Sequence, residues 1–235
     1  MKFAVIAAGE GSRLVQEGVK NHKPLVKLGG EAMIDRLVRI FTAQGATEIV
    51  VIVNSRMPEV IGHMQKMQEK RAGSECPIRL VVKSTPSSMH SFYELSRFLT
   101  DEPFCLTTVD TIFKEQDFAD YISWFKESPV DGLMAVTDYI DDEKPLYVGT
   151  DGDMNITGFY DEQHNCRYIS GGIYCLKPTS LTTLAHCMEQ GQSRMRNFQR
   201  QLVAEGLKLK AYAFSKILDV DHAEDIRKAE DFLTV

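Results

Sequence analysis

Long apolar stretches are missing from this chain. The first, Phe3 to Ala8, is six residues, too short for the h-region of a secretory leader and far below the roughly 20 residues that cross a bilayer. The sequence predicts a cytoplasmic protein with no membrane partner. Basic blocks are missing too: 27 Lys and Arg stand against 33 Asp and Glu, a formal charge of −6, and no Lys/Arg cluster marks a nucleic-acid footprint. The five cysteines, Cys76, Cys105, Cys166, Cys175 and Cys187, are scattered with no C-x-x-C pair. That argues against a zinc ribbon or a dithiol redox motif and reads as reduced, mostly buried thiols. No internal repeat, low-complexity tract or Pro/Gly/Ser-rich linker interrupts the 235 residues, so they read as one continuous domain. What remains is ordinary: 43% hydrophobic and 26% charged residues suit a globule with one large core.

Apolar runs and amphipathic stretches alternate from the first residue. Phe3 to Ala8, Glu48 to Val53, Ile78 to Val82 and Phe104 to Val109 read as buried strands. Between them, Met33, Ile34, Leu37, Val38 and Phe41 recur at helical spacing and stop at Gly45, and Val60, Ile61, Met64 and Met67 follow Pro58. Ser87 or Ser88 is placed to N-cap a helix carrying Phe92, Leu95, Phe98 and Leu99. Four strand-then-helix units argue for an α/β fold with a mostly parallel sheet covered on both faces. After Asp131 the rhythm changes. Gly132 to Val136, Leu146 to Val148, Ile156 to Tyr160 and Tyr168 to Leu176 predict an antiparallel insertion; two helices (about 179–190 and 193–205), a strand near Leu209 to Phe214 and a helix from about His222 follow.

Directly after the first strand comes Ala7-Ala8-Gly9-Glu10-Gly11-Ser12-Arg13-Leu14, whose glycines let the backbone approach an anion. It is not the dinucleotide fingerprint, since Leu14 replaces the third glycine and Val53-Asn54 lacks the acidic ribose-binding residue. Nor is there a G-x-x-x-x-G-K-[ST] loop. A tight turn would account for a lone G-x-G. The next segment, Lys20 to Leu28, lies between the first strand and the first helix, where about 20 residues lack core periodicity, a length at which loops are usually functional. Arg13 and Lys23, the latter stiffened by Pro24, are its cations best placed for phosphate, whereas Lys20 and Lys27 read as solvated surface charges.

Ala7 to Leu14, followed closely by Lys23-Pro-Leu-Val-Lys-Leu28, resembles the paired signature of the nucleotidyltransferase superfamily, which includes sugar-1-phosphate nucleotidylyltransferases and phosphocholine cytidylyltransferases. The resemblance implies a three-layer αβα, Rossmann-like domain with a mixed central sheet. About 1–125 would bind the nucleotide and about 126–235 the acceptor. It implies that Ala7, Ala8, Gly9, Glu10, Gly11 and Ser12 hold the base and phosphates while Arg13 and Lys23 bind the triphosphate. Asp110, after the fourth strand, and Asp219 fall at the family's Mg²⁺ positions, with Asp221 a further candidate ligand. Tyr168 to Cys175 is similar to the acceptor-side strand, where Gly171 and Gly172 would let the acceptor lie close. Thr85 lies in a polar segment, Ser84 to Ser91, closer to that of phosphocholine cytidylyltransferases, with a plain helix N-cap as the other reading.

Physically the placement is consistent, because ligands of open α/β sheets sit outside the carboxyl ends of the strands, and Gly9, Asp110 and Asp219 all follow strand-like runs. Carboxylates with no His/Cys cluster suit magnesium rather than zinc. The expected partners are a nucleoside triphosphate and a phosphorylated acceptor, a sugar 1-phosphate or an alcohol phosphate such as phosphocholine, and a homo-oligomer is left open. One departure stands out: a Glu-Lys-Pro segment common in sugar-phosphate members is replaced by Asp161 to Cys166. Arg167 or His164 could stand in for its lysine or be surface residues. The rival reading is a non-catalytic nucleotide-binding regulatory or assembly protein of the same fold.

Overall fold

The first strand, β1 (Lys2–Ala7), is apolar on both faces because it runs through the middle of a sheet: Phe3, Val5 and Ala7 pack to one side, Ala4 and Ile6 to the other. The computed structural model describes residues 1–141 and 143–234. After β1 come α1 (Ser12–Gln16), a 3₁₀ turn (Lys23–Leu25), the short pair β2 (Lys27–Leu28) and β3 (Glu31–Ala32), and α2 (Met33–Ala43). Then follow β4 (Ile49–Val53), α3 (Pro58–Lys70), β5 (Ile78–Val82), α4 (Ser88–Ser96), β6 (Phe104–Thr108), β7 (Thr111–Phe113) and α5 (Glu115–Glu127). The second half holds β8 (Gly132–Thr137), β9 (Tyr147–Thr150), β10 (Ile156–Tyr160), β11 (Tyr168–Leu176), α6 (Ser180–Glu189) and α7 (Met195–Ala204), and closes with β12 (Leu209–Ala213), β13 (Ile217–Asp219) and α8 (Ala223–Thr234).

Strands β5, β4, β1 and β6 lie side by side and parallel. β11 runs antiparallel to both β6 and β8, and β12 runs parallel to β8. Seven strands of the nine-stranded sheet, β9 among them, therefore point one way and β10 and β11 the other, with the β9–β10 hairpin as the antiparallel insertion. Helices α2, α3, α5 and α8 cover one face and α4, α6 and α7 the opposite one, the α/β layering that the alternating periodicity implies. Phe3 stacks on Phe41 and Phe113 on Phe118 in one core, while Phe92 meets Phe198 edge-on in the other. Each such buried ring contributes about 1.5–3 kcal/mol by removal from water. All five cysteines are buried free thiols. Among the described residues, no helix is long and apolar enough to cross a membrane.

The stretch from Gly9 to Ala32 is not one irregular loop: α1, the 3₁₀ turn and the β2–β3 pair occupy it, each too short to leave a period in the sequence.

On the α4–α6–α7 face, His186 Nδ1 lies 2.9 Å from Glu205 Oε1. The hydrogen bond to Glu205 holds the imidazole pKa above its usual value. Burial works to raise the Glu205 pKa, but hydrogen bonds from Thr183, Gln201 and His186 prevail and lower it. The histidine's share of stability is complete below its unfolded value of 6.5 and is lost as pH rises through the raised folded value. The glutamate's share is complete above 4.5 and is lost as pH falls through the lowered one. The Tm gap between parent and His186→Ala is therefore expected to peak between these two values and to narrow in alkali. A gap that widens with rising pH contradicts the assignment.

Candidate active site

The carboxyl ends of β1, β4 and β6 open into a cleft of about 690 Å³. Its walls are the loop from Ala8 to Arg13, the segment from Thr85 to Ser88 that enters α4, and Thr108 to Asp110 at the end of β6. Ala8, Gly9, Glu10, Gly11, Ser12, Arg13, Lys23, Thr85, Asp110 and Asp221 all line it. Ala7 does not; strand alternation turns its side chain into the core on the far face. At Gly11, φ is +60°, and an added Cβ would come within 3.1 Å of Lys23 Cβ, so the glycine permits both the turn and the close approach of Lys23.

Lys23 begins the 3₁₀ turn, pinned by the buried Pro24. Its Nζ lies 2.5 Å from Asp110 Oδ2 and 2.6 Å from Asp221 Oδ1, while Arg13 Nη1 stands 3.5 Å from Asp221 Oδ2. Burial disfavours the ammonium, but Asp110 and then Asp221 outweigh it and raise its pKa above the usual lysine value. The acids converge because β13 pairs with β7, setting Asp219 opposite Thr111, and because the Val220 N–H donates to the Asp110 carbonyl at 3.1 Å.

Asp219 lies outside the lining of the cleft, on the side of β11. The residue is exposed, while its carboxyl has protein packed around it. That surrounding mass, followed by the charges of Asp110 and Asp221, pushes its carboxyl up to about 8, against the pull of Lys23 and a hydrogen bond with Thr111. Among the described residues, no three His, Cys, Asp or Glu side chains form a ready-made metal cage. An ion here would share its oxygen ligands with bound phosphate and water, as Mg²⁺ does.

Gly171 and Gly172 fall where the β8–β11 register shifts, between Ser170 and Tyr174. Gly172 has φ +72°. Gly171 is filled from behind: a Cβ there would sit 2.2 Å from Ile217 Cδ1 and 3.2 Å from the Ala135 carbonyl. Thr85 Oγ1 is 2.6 Å from Ser91 Oγ and donates to the Ser87 carbonyl at 3.2 Å, and Ser87 caps α4. Neither Arg167 nor His164 lines the main cleft. Arg167 pairs with Asp138 at 3.0 Å and lies over the Tyr168 ring, and His164 is near Glu162. Asp161 is held by Arg196 and Arg200.

Among the cleft residues that sequence reading missed are Asn54, Arg56 and Thr108. Asn54 follows β4 as Gly9 follows β1, which was the available signal. Its Nδ2 donates to the Ala8 carbonyl at 3.1 Å and its Oδ1 accepts from Arg56 N–H and Ser84 Oγ. Arg56 in turn pairs with Glu10 across the mouth.

Residues 2–235 match the nucleotidyl transferase family model, and the chain belongs to that family. It is 30% identical over 191 residues to the mannose-1-phosphate guanyltransferase of Schizosaccharomyces pombe, covering 77% of this chain and 51% of the relative. It is 28% identical to a protein from Arabidopsis thaliana named as a probable mannose-1-phosphate guanylyltransferase 3, covering 68% and 49%. The chain thus spans about half the length of these relatives. In fold it is similar to the inositol-1-phosphate CTP transferase of T. maritima, with a TM-score of 0.78, 17% identity and coverage of 99% and 97%. A Bacillus anthracis structure assigned as a glucose-1-phosphate thymidylyltransferase superposes with a TM-score of 0.84 at 18% identity, covering 99% and 94%.

Proposed function

We propose that this chain transfers a nucleoside monophosphate from a nucleoside triphosphate to a sugar 1-phosphate, in the cytosol, with release of pyrophosphate. The observation that carries the reading is Lys23, held between Asp110 and Asp221 on a cleft where three parallel strand ends meet. In this reading the acceptor's phosphate oxygen attacks the α-phosphorus in line. The new P–O bond forms as the bond to the α,β-bridging oxygen breaks, and that electron pair leaves with pyrophosphate. A phosphate is already anionic at pH 7, so no general base is required, and the protein's work is positioning and charge neutralisation.

Arg13 and Lys23 meet the triphosphate while the backbone from Ala8 to Ser12 and Thr85 hold the nucleotide. Residues of about 1–125 form the nucleotide side and about 126–235 the acceptor side, with Gly171 and Gly172 against the acceptor. Asp110 and Asp219 would hold Mg²⁺, with Asp221 a further ligand. The residues fit: their donors are all carboxylate oxygens, and the repulsion from Asp110 and Asp221, which adds to burial in lifting Asp219 to about 8, is relieved by a divalent cation. When bound, the ion would neutralise charge on the triphosphate and on the leaving pyrophosphate.

The test is pyrophosphate release over the four triphosphates against mannose 1-phosphate, glucose 1-phosphate, inositol 1-phosphate and phosphocholine. The names of the relatives put GTP with mannose 1-phosphate first. Mg²⁺-dependent release with a sugar 1-phosphate is expected. Release with phosphocholine alone moves the acceptor class, and no release with any pair overturns the reading.

A further inference from the structure

The signature loop and the acidic segment come from opposite ends of the chain, and a single side chain ties them together. Glu17 ends α1, its N–H bonded to the Arg13 carbonyl at 3.0 Å. One of its oxygens lies 2.6 Å from His222 Nδ1 and the other accepts from the Ala223 N–H at 2.6 Å, the first residue of α8. From there the contacts run back to the site. Asp225 Oδ2 accepts from the N–H groups of Asp221 and His222 at 3.1 and 2.8 Å, and Lys228 holds the other Asp225 oxygen at 3.2 Å. Asp221 then reaches Lys23 and Arg13. The ring closes on the residue where it began: Arg13, Glu17, the start of α8, Asp221, Arg13.

We infer that Glu17 is a positioning residue that sets the spacing between the cations of the loop and the carboxylates Asp219 and Asp221. The inference rests on the roles proposed above for those residues. Glu17 stands outside the lining of the cleft and touches neither carboxylate directly. Its effect is transmitted through the main chain of residues 221–223, which carries Asp221 at its first position. A plain helix cap would account for the bond to the Ala223 N–H alone; the contact of the other oxygen with His222, the neighbour of Asp221, is one that a cap does not need. A second tie, from the Gly29 N–H to Glu230 at 3.0 Å, joins the β2–β3 turn to the second half of α8. Because α8 is also held at Glu230 by the β2–β3 turn, releasing its start beside Asp221 shifts the site more than it loosens the fold.

The experiment compares the parent with Glu17→Ala and Glu17→Gln by two readouts. One is the Mg²⁺ concentration giving half of the metal-induced rise in Tm, without substrates. The other is kcat and KM for the fastest triphosphate and sugar 1-phosphate pair. For Glu17→Ala the half-saturating Mg²⁺ is expected to rise and kcat to fall, each about 10- to 100-fold, with acceptor KM within about twofold. Glu17→Gln, whose amide oxygen still accepts from Ala223, is expected to recover most of the loss. A simple cap would lower Tm and leave both readouts at parental values, and that result overturns the inference. If Glu17→Ala does not fold, His222→Ala carries the test. It keeps the Ala223 bond, so a rise in half-saturating Mg²⁺ smaller than that expected of Glu17→Ala supports the inference and a parental value overturns it. A parent that neither responds to Mg²⁺ nor releases pyrophosphate sinks the underlying roles first, and a responsive parent with an unaltered Glu17→Ala sinks only the positioning role.

Discussion

Lys23→Ala is expected to lower turnover by about 10²- to 10³-fold, the usual cost of removing one stabiliser of transition-state charge, and to make the protein's stability depend on divalent cations. Both effects come from one geometry. In the free protein the ammonium sits 2.5 and 2.6 Å from two carboxylates and pulls on a third. Without it, Asp110, Asp219 and Asp221 face one another with only Arg13 nearby, and Asp219, already lifted to about 8, rises further. An acid whose folded value is raised adds nothing unfavourable below its unfolded value of 3.8, costs progressively more as pH climbs, and reaches its full cost above the folded value. The variant's deficit in Tm is therefore expected to be small in acid and to grow toward pH 8 and beyond. Mg²⁺ should recover more of it than it adds to the parent. Circular dichroism melts across pH, with and without Mg²⁺, check this. A deficit that is flat with pH, or parental turnover in a folded variant, contradicts the role given to Lys23.

Sequence and structure agree where the physics is local. The strands β1, β4 and β6 were legible because burial on both faces demands unbroken apolar runs. The position of Asp110 followed from β6, and Gly11 and Lys23 from a paired motif. What was hidden is of two kinds. α1 and the β2–β3 pair are shorter than any periodicity can register. Asn54 and Arg56 join the cleft only because β4 lies beside β1, and Glu17 meets His222 across 205 positions of chain. A pairing at that distance has no trace in local pattern; only the closing of α8 onto the signature loop creates it. Asp161, whose segment replaces the expected lysine, proved to be bound to Arg196 and Arg200 of α7, an ion pair equally invisible beforehand.

Gly171 offers the sharpest separation of packing from ligand contact. The resemblance places it against the acceptor, whereas the structure fills the space behind it with Ile217, whose Cδ1 would lie 2.2 Å from an added Cβ. No real contact is that short, so in Gly171→Ala the end of the buried Ile217 side chain must move, with the Ala135 carbonyl at 3.2 Å also crowded. Ile217 stands two residues before Asp219 on the three-residue strand β13, and a push there is transmitted to the carboxylate. Overpacking of this kind costs about 1–3 kcal/mol, and a displacement of about 1 Å at a reacting centre costs about 10²-fold in rate. Gly171→Ala is therefore expected to lose both Tm and turnover. Adding Ile217→Val removes the Cδ1 and leaves Cγ1 3.4 Å from the new Cβ, so the double variant should regain part of both, with the Ala135 carbonyl at 3.2 Å still close. Acceptor KM distinguishes the two accounts. If the methyl group acts by meeting the acceptor, KM rises and Ile217→Val does not restore it. If it acts through β13, the second substitution rescues kcat, because the distance from Gly171 to Asp219 is set by the side chain between them.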